Sequence, residues 1–260
     1  MIIITVANQK GGIGKTTTAT AMASVLRSKG FKVLLIDTDM QCNSTDAYKA
    51  RTDQIATLYD VLLADEKISI NDAIQHTESG DIVASDRLLL EADDKLKSDS
   101  EGVYLLQDAL ADLEGYDYVI LDTNPTLNHM LYNCLVASNE IVVPMTADRF
   151  GVTGLQQLSQ TVTKIKRRQN PDLRVAGLLL VKFKERTRLG REIKDFLTQA
   201  ASEMDTEVFK TTIRESVKIQ EAQAARVSIM DYAPKSTSAL DYISFIDELI
   251  LKEKKWYGTK

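Results

Sequence analysis

Two lysines and three glycines lie within six residues near the start of the chain, between an apolar run and a stretch with helical spacing. The segment reads Lys10-Gly11-Gly12-Ile13-Gly14-Lys15-Thr16-Thr17. Closely spaced glycines let successive backbone N–H groups turn toward one anion, and a helix that begins there adds its partial positive charge. A lysine and a hydroxyl at this point can reach phosphate oxygens and Mg²⁺. The segment therefore predicts a P-loop for the phosphates of ATP.

This loop departs from the usual P-loop pattern, GxxxxGK[ST], at its first position. Gln9 stands where that pattern has a glycine, and Lys10 adds a second lysine at the mouth of the loop. The departure leaves the phosphate-binding groups in place.

Three carboxylates follow apolar runs at places where an open α/β sheet binds ligands. Asp37 and Asp39 end the second run, and two-residue spacing puts them on the same side of an extended chain. Asp122 ends the run that starts at Tyr118, as the metal-holding aspartate of a P-loop protein does. One carboxylate of the first pair could anchor the water shell of Mg²⁺ while the other orients the attacking water.

The elements that must position these groups alternate along the chain. A helix is expected over Lys15–Lys29, closed by Gly30. The charged stretch Leu90–Glu101 is expected to form a solvated loop or helix end. Strands are expected at Ile2–Ala7, Val33–Ile36, Asp81–Ala84, Tyr118–Leu121, Glu140–Pro144, Val175–Val181 and Glu207–Thr211. This order predicts an α/β fold, a mostly parallel twisted sheet with helices on both faces, in a single domain over residues 1–260.

The composition is that of an ordinary globular protein. The 260 residues are 44% hydrophobic and 27% charged, with a net charge of −5. An acidic chain does not coat nucleic acid as a polycation does, so any DNA site must be a local patch. We find no membrane-spanning run and expect a cytoplasmic protein with Cys42 and Cys134 reduced; His76 and His129 have no metal-ligand spacing.

The loop Lys-Gly-Gly-Ile-Gly-Lys-Thr-Thr resembles the deviant P-loop of the ParA/MinD superfamily. That resemblance implies dimerisation on ATP, with Lys10 reaching the partner's phosphates. It also implies that Asp39 positions the attacking water, that Thr16 and Asp122 hold Mg²⁺, and that Asp37 lies near the ion. Two positions differ from the family pattern: Met40 and Asn124 stand where proline is usual. The loss of a fixed φ at Asn124 bears on the rigidity of the loop after Asp122.

Within the superfamily, the later part of the chain resembles the ParA/Soj partition ATPases. Basic residues predominate between Lys164 and Lys194, and the Arg-Thr-Arg-Leu run at 186–189 and the segment 213–222 match two stretches of those proteins. The resemblance implies a patch that binds double-stranded DNA without reading its sequence, nucleoid association, and a ParB-like centromere-binding activator. The candidate DNA contacts are Arg186, Arg188, Arg191, Arg214 and Lys218.

Two other classes compete with this interpretation. A MinD-like ATPase that positions division sites or protein cargo would end in a basic amphipathic helix that inserts into lipid. The apolar spacing over Leu240–Leu251 favours a core helix instead, although Trp256 and Tyr257 follow it. An iron–sulfur reductase would need two cysteines after the metal site, and only Cys134 lies near it.

Overall fold

The structure is a computed structural model that describes most of the chain. It covers residues 1–66, 68–147, 150–183 and 188–258, and it describes the side chains of these ranges except at 150–153, 188–194 and 203.

Seven strands form one sheet in the order β3-β4-β2-β5-β1-β6-β7. Their bounds are β1 Ile2–Val6, β2 Val33–Asp37, β3 Ile74–Thr77, β4 Gly80–Val83, β5 Tyr118–Asp122, β6 Glu140–Thr146 and β7 Arg174–Val181. All neighbours pair in parallel except β3 and β4, which pair antiparallel at one edge. The predicted mostly parallel sheet is confirmed.

Helices cover both faces of this sheet. Their bounds are α1 Lys15–Ser28, α2 Asn43–Ala47, α3 Leu58–Leu63, α4 Leu89–Ser98, α5 Leu105–Ala111, α6 His129–Ala137, α7 Phe150–Arg168, α8 Arg188–Glu203, α9 Val217–Ala224, α10 Ile229–Tyr232 and α11 Thr237–Tyr257. Alternate residues of β1 point to opposite faces. Ile4 packs in the core shared with α1 and α11, whereas Ile3 packs in the core shared with α3 to α6.

The first helix agrees with its sequence prediction to within one residue. It ends at Ser28, and Gly30 follows with a φ of 92°, the left-handed conformation that ends helices at low cost in glycine. The charged stretch expected as a loop or helix end contains α4, which buries Leu89, Ala92 and Leu96.

One predicted strand was wrong, and one strand of the sheet was missed. Glu207–Thr211 is not a strand: it runs beside β7 and makes a single parallel bridge between Val208 and Leu178. The edge strand β3 was missed because its sequence, Ile-Gln-His-Thr, is short and polar. Its pairing with β4 across a two-residue turn makes it a strand.

The last helix, α11, is a core element. Its residues Tyr242, Phe245, Ile246 and Leu249 are almost wholly buried against the sheet and α1. Each such side chain contributes about 1.5–3 kcal/mol of hydrophobic stabilisation. Among the helices of the described residues, none combines the length and apolar character needed to cross a bilayer.

Candidate functional site

The phosphate loop joins the end of β1 to the start of α1 at the carboxyl edge of the sheet. Gly12 and Gly14 have φ of 71° and 93°, so glycine is required at both positions. Gly11 has no such conformation, and a Cβ there would meet no atom within 4 Å. The prediction that all three glycines shape the loop thus holds for two of them. The loop borders a cavity of about 790 Å³.

The start of α1 is arranged to receive an anion. No side chain caps the helix, and its first turn contains no acidic residue. The backbone N–H groups of this turn and the helix dipole therefore remain available to phosphate oxygens.

Lys15 carries a buried positive charge at this helix start. Its side chain is 7% exposed, and its Nζ donates to the carbonyl oxygen of Lys10 at 3.2 Å. Burial lowers the pKa of Lys15, and the carboxylates of Asp122 and Asp39 oppose that shift. A triphosphate supplies the negative charge that a desolvated ammonium lacks here.

Asp122 and Asp37 lie side by side where β5 and β2 end, because the two residues are directly paired in the parallel ladder. Both are fully buried, and burial raises the pKa of each carboxyl. The Ser44 hydroxyl donates to Asp122 Oδ2 at 2.7 Å, while Asp122 Oδ1 is buried with no hydrogen-bond partner. An orphaned carboxylate oxygen in a dry site indicates a missing cation or water.

The residues near Asp122 fit a magnesium ion. Thr16 lies in the first turn of α1, half-buried beside the cavity. Mg²⁺ is usually held by one or two protein oxygens together with substrate phosphates and waters, and the unpartnered oxygen of Asp122 with the Thr16 hydroxyl provides such a set.

Asp37 is occupied within the chain. Its Oδ2 accepts hydrogen bonds from the Thr45 amide and hydroxyl, both at 2.8 Å, and its Oδ1 accepts from the Asp39 amide at 3.1 Å. These bonds fix the loop after β2, so Asp37 positions that loop. Its nearness to a metal stays a prediction.

Asp39 lines the cavity on this fixed loop. Its side chain is 6% exposed, and its Oδ1 accepts the Gln41 amide at 3.0 Å. The Ser85 hydroxyl donates to its carbonyl oxygen at 2.8 Å, which holds the backbone from the β4 side. The structure thus brings Lys15 and Asp39 to one cavity, and the charge of the buried Asp122 acts on Lys15 from behind it.

Lys10 turns toward the sheet of its own chain. Its Nζ donates to the Thr146 hydroxyl at 3.2 Å, and its amide donates to Asn8 Oδ1. The Asn8 amide group donates in turn to the Pro144 carbonyl, which ties the loop to β6. The contact of Lys10 with a second chain stays a prediction.

Asn124, where the family usually has proline, stiffens its loop by another means. Its Oδ1 accepts the Thr126 amide at 3.1 Å, the local turn that asparagine makes readily. A side-chain hydrogen bond therefore replaces the fixed φ of proline.

Several cavity residues were missed by sequence reasoning. Lys182, at the end of β7, donates to the Gly12 carbonyl at 2.7 Å, and Gln223 of α9 donates to the Thr17 hydroxyl at 2.7 Å. Neither residue has a motif around it, because only the tertiary fold brings it to the loop.

The candidate DNA contacts have unequal status. Arg186 lies outside the described residues, and Arg188 and Arg191 lie in the first turn of α8 with their side chains undescribed. Arg214 bridges to Phe183, just before that segment, so the fold brings the two predicted DNA segments together. Lys218 begins α9, 53% exposed, and its Nζ pairs with Glu221 at 2.7 Å.

Arg214 is engaged with α11. Its Nη2 lies 2.6 Å from Asp241 Oδ1 and its Nε 2.9 Å from Asp241 Oδ2, a bidentate pair with a carboxylate that is 12% exposed. Such a pair fixes the segment before α9 to the last helix, so Arg214 has a structural role whether or not it also touches DNA.

A strand, a glycine loop, a buried lysine at a free helix start and two buried aspartates on adjacent strands together define a P-loop nucleotide-binding protein. Comparisons with known proteins agree. A family described as "AAA domain" matches residues 1–175. The chromosome partitioning protein ParA of Caulobacter vibrioides is 31% identical over 258 residues, covering 97% of this chain and 95% of that protein.

Solved structures show the same likeness. A plasmid partition protein from Borrelia burgdorferi has a TM-score of 0.75 at 27% identity, covering 98% of both chains. Cobyrinic acid a,c-diamide synthase from Mycobacterium smegmatis, with a bound ATP analog and magnesium, has a TM-score of 0.83 at 28% identity, covering 100% of this chain and 98% of that one. The chain belongs to the ParA family of P-loop ATPases.

Proposed function

We propose that this chain is a partition ATPase: it binds ATP with Mg²⁺, dimerises, binds double-stranded DNA without sequence preference, and releases it on hydrolysis. The observation that carries the nucleotide part is the buried Lys15 at the uncapped start of α1, facing Asp122 with its unpartnered oxygen. The likeness to a chromosome partitioning protein supports the role in partition.

The chemistry is transfer of a phosphoryl group to water. Magnesium, when bound, neutralises charge on the phosphate oxygens, and Thr16 and Asp122 would hold it. Lys15 donates to phosphate oxygens from a site where low solvent access strengthens its attraction. Asp39 orients the attacking water from the loop that Asp37 and Ser85 fix. Positioning and electrostatics supply the rate, so turnover is slow without an activator.

The DNA part rests on a local basic surface. Phe183, just after β7, bridges to Arg214, and the neighbouring Lys182 donates to the Gly12 carbonyl. Nucleotide loop and predicted DNA surface are therefore joined by one contact. We propose that a ParB-like centromere-binding protein stimulates hydrolysis, and that the dimer resides on the nucleoid in the cytoplasm.

Two variants test the nucleotide site. Lys15→Ala should abolish ATP binding in calorimetry, because it removes the buried cation. Asp39→Ala should keep ATP binding and lower hydrolysis by about 10²- to 10⁴-fold, the usual contribution of a positioned general base. The matched control is Glu91→Ala, an exposed acidic residue in the first turn of α4. Unchanged ATP affinity in Lys15→Ala would overturn the site, and normal turnover in Asp39→Ala would remove that residue from the mechanism.

A MinD-like membrane ATPase is the alternative. It requires the C-terminal helix to present an apolar face to lipid, whereas α11 packs its apolar face against the protein core. Binding to anionic vesicles in the presence of ATP, without binding to DNA, would favour the alternative.

A further inference from the structure

Gln223 connects α9 to the phosphate loop. Its Nε2 donates to the Thr17 hydroxyl oxygen at 2.7 Å, across 206 residues of sequence. Both residues border the 790 Å³ cavity, and Thr17 is 9% exposed in the first turn of α1. Among the described residues, this contact is the one hydrogen bond that joins a side chain of α9 to a side chain of α1.

This bond determines the direction in which the Thr17 hydroxyl can donate its proton. A threonine hydroxyl has one proton to donate and two lone pairs to accept with. The Gln223 amide fills one lone pair, so the proton must point elsewhere. Among the described residues no group accepts that proton, and the direction left open is the cavity.

Gln223 is itself held in place by the packing of α9. The Ser216 hydroxyl caps the helix by accepting the Lys218 amide, and Ala222 is buried beside the core. Arg226, just after α9, lies 3.8 Å from Asp46 at the end of α2. A side chain on a docked helix fixes a hydroxyl direction better than one on a free loop.

We propose that Gln223 is a positioning residue of the nucleotide site: it orients the Thr17 hydroxyl to donate to a phosphate oxygen of the bound nucleotide. The inference rests on the proposed function only in taking a nucleotide as the ligand. It assigns α9, which also carries Lys218, a part in phosphate recognition that acts through the Thr17 hydroxyl.

The test measures ATP and ADP affinity in four forms of the full chain: wild type, Gln223→Ala, Thr17→Val and the double variant. Each single change should weaken binding roughly 2- to 10-fold, the effect of one hydrogen bond, and the loss should fall on KM rather than kcat because the bond is present before and during the reaction. The double variant should bind as Thr17→Val does, since Gln223 acts through that hydroxyl.

Gln223→Glu gives a sharper result. A carboxylate of the same length can only accept hydrogen bonds, so it accepts the bond from the Thr17 hydroxyl and its charge repels phosphate. It should weaken binding more than Gln223→Ala. Gln107→Ala, exposed on α5 away from the cavity, is the matched control.

Three results would overturn the inference: unchanged affinity in Gln223→Ala, additive losses in the double variant, or equal binding by Gln223→Glu and wild type. Additive losses would mean that Gln223 only supports the fold. These results are distinct from failure of the proposed function, in which the wild-type chain itself binds no ATP.

Discussion

Individual residues at the phosphate site combine burial with charge. Lys15, Asp37 and Asp122 are all less than a tenth exposed, an arrangement that costs free energy unless each charge finds a partner. Asp37 has its partners within the chain, in Thr45 and the Asp39 amide. Lys15 and Asp122 are incompletely matched, so bound nucleotide and metal should stabilise the folded chain by mass action.

Lys10 is the residue that would extend the proposed nucleotide site to a second chain. In the single chain its Nζ contacts Thr146. If Lys10 reaches a partner's phosphates, Lys10→Ala should keep ATP binding but lose ATP-dependent dimerisation and hydrolysis. Sedimentation velocity with and without ATP, together with phosphate release, measures both. A Lys10→Ala protein that dimerises and turns over normally would leave a conventional one-chain P-loop.

At the scale of single elements, α9 and the segment before it connect the candidate nucleotide site to the proposed DNA surface. Arg214 is committed to Asp241, so Arg214→Ala should lower the free energy of unfolding by about 1–3 kcal/mol, as expected for hydrogen bonds to a charged group. Loss of DNA binding in an Arg214 variant would therefore be ambiguous.

Lys218 provides the clean test of the DNA surface. It is exposed at the start of α9, and within the described part of the chain it pairs with neighbouring surface groups, Glu221 and the Tyr232 ring. Lys218→Ala should weaken ATP-dependent DNA binding and reduce the salt slope by about 1, with no change in melting temperature. The control is Lys32→Ala, an exposed lysine just before the amino end of β2. An unchanged salt slope in Lys218→Ala would show that the DNA surface lies elsewhere.

The start of β6 and the end of α11 share a buried acidic pair remote from the phosphate site. Glu140 and Glu253 are 0% and 4% exposed, and Tyr118 donates to Glu253 Oε2. Burial, with the neighbouring Glu253, raises the pKa of Glu140 to about 8, and burial raises that of Glu253 to about 7. Tyr257, Arg174 and Lys252 face the pair from α11 and β7.

This pair predicts a pH dependence of folding. Because the pKa of each carboxyl in the folded state lies above 4.5, the ordinary value of a glutamate, the folded state binds more protons than the unfolded chain. The stability they contribute is complete below about pH 4.5 and is lost as pH rises through 7 to 8. Between pH 6 and pH 8.5, the free energy of unfolding measured with urea should fall less in Glu140→Gln than in wild type. Equal losses in the two proteins would contradict the assignment.

At the scale of the whole molecule, the sequence predicts what depends on local pattern. The strand, glycine loop and Gly-Lys-Thr segment predicted the phosphate site, and the runs ending in Asp37 and Asp122 predicted two strand ends, which the structure shows to be neighbours. Contacts between distant segments could not be predicted: Gln223 with Thr17 and Glu140 near Glu253 both depend on tertiary packing. The edge strand β3 was missed because its sequence is short and polar. The single-domain expectation for residues 1–260 stays a prediction, which limited proteolysis can test.

The whole chain carries a net charge of −5, so its proposed DNA binding must come from a local surface that ATP completes. The fold alone does not decide this, because a diamide synthase and a plasmid partition protein share it. Function is carried by the residues at the site and on that surface.

The most direct test is cosedimentation of one preparation of the full chain with double-stranded DNA and, separately, with vesicles of anionic lipid, each with and without ATP and Mg²⁺. We predict ATP-dependent binding to DNA that weakens steeply with salt, is absent in Lys15→Ala, and has no counterpart on vesicles. Binding to vesicles but not to DNA, or DNA binding that ignores ATP, would contradict the account.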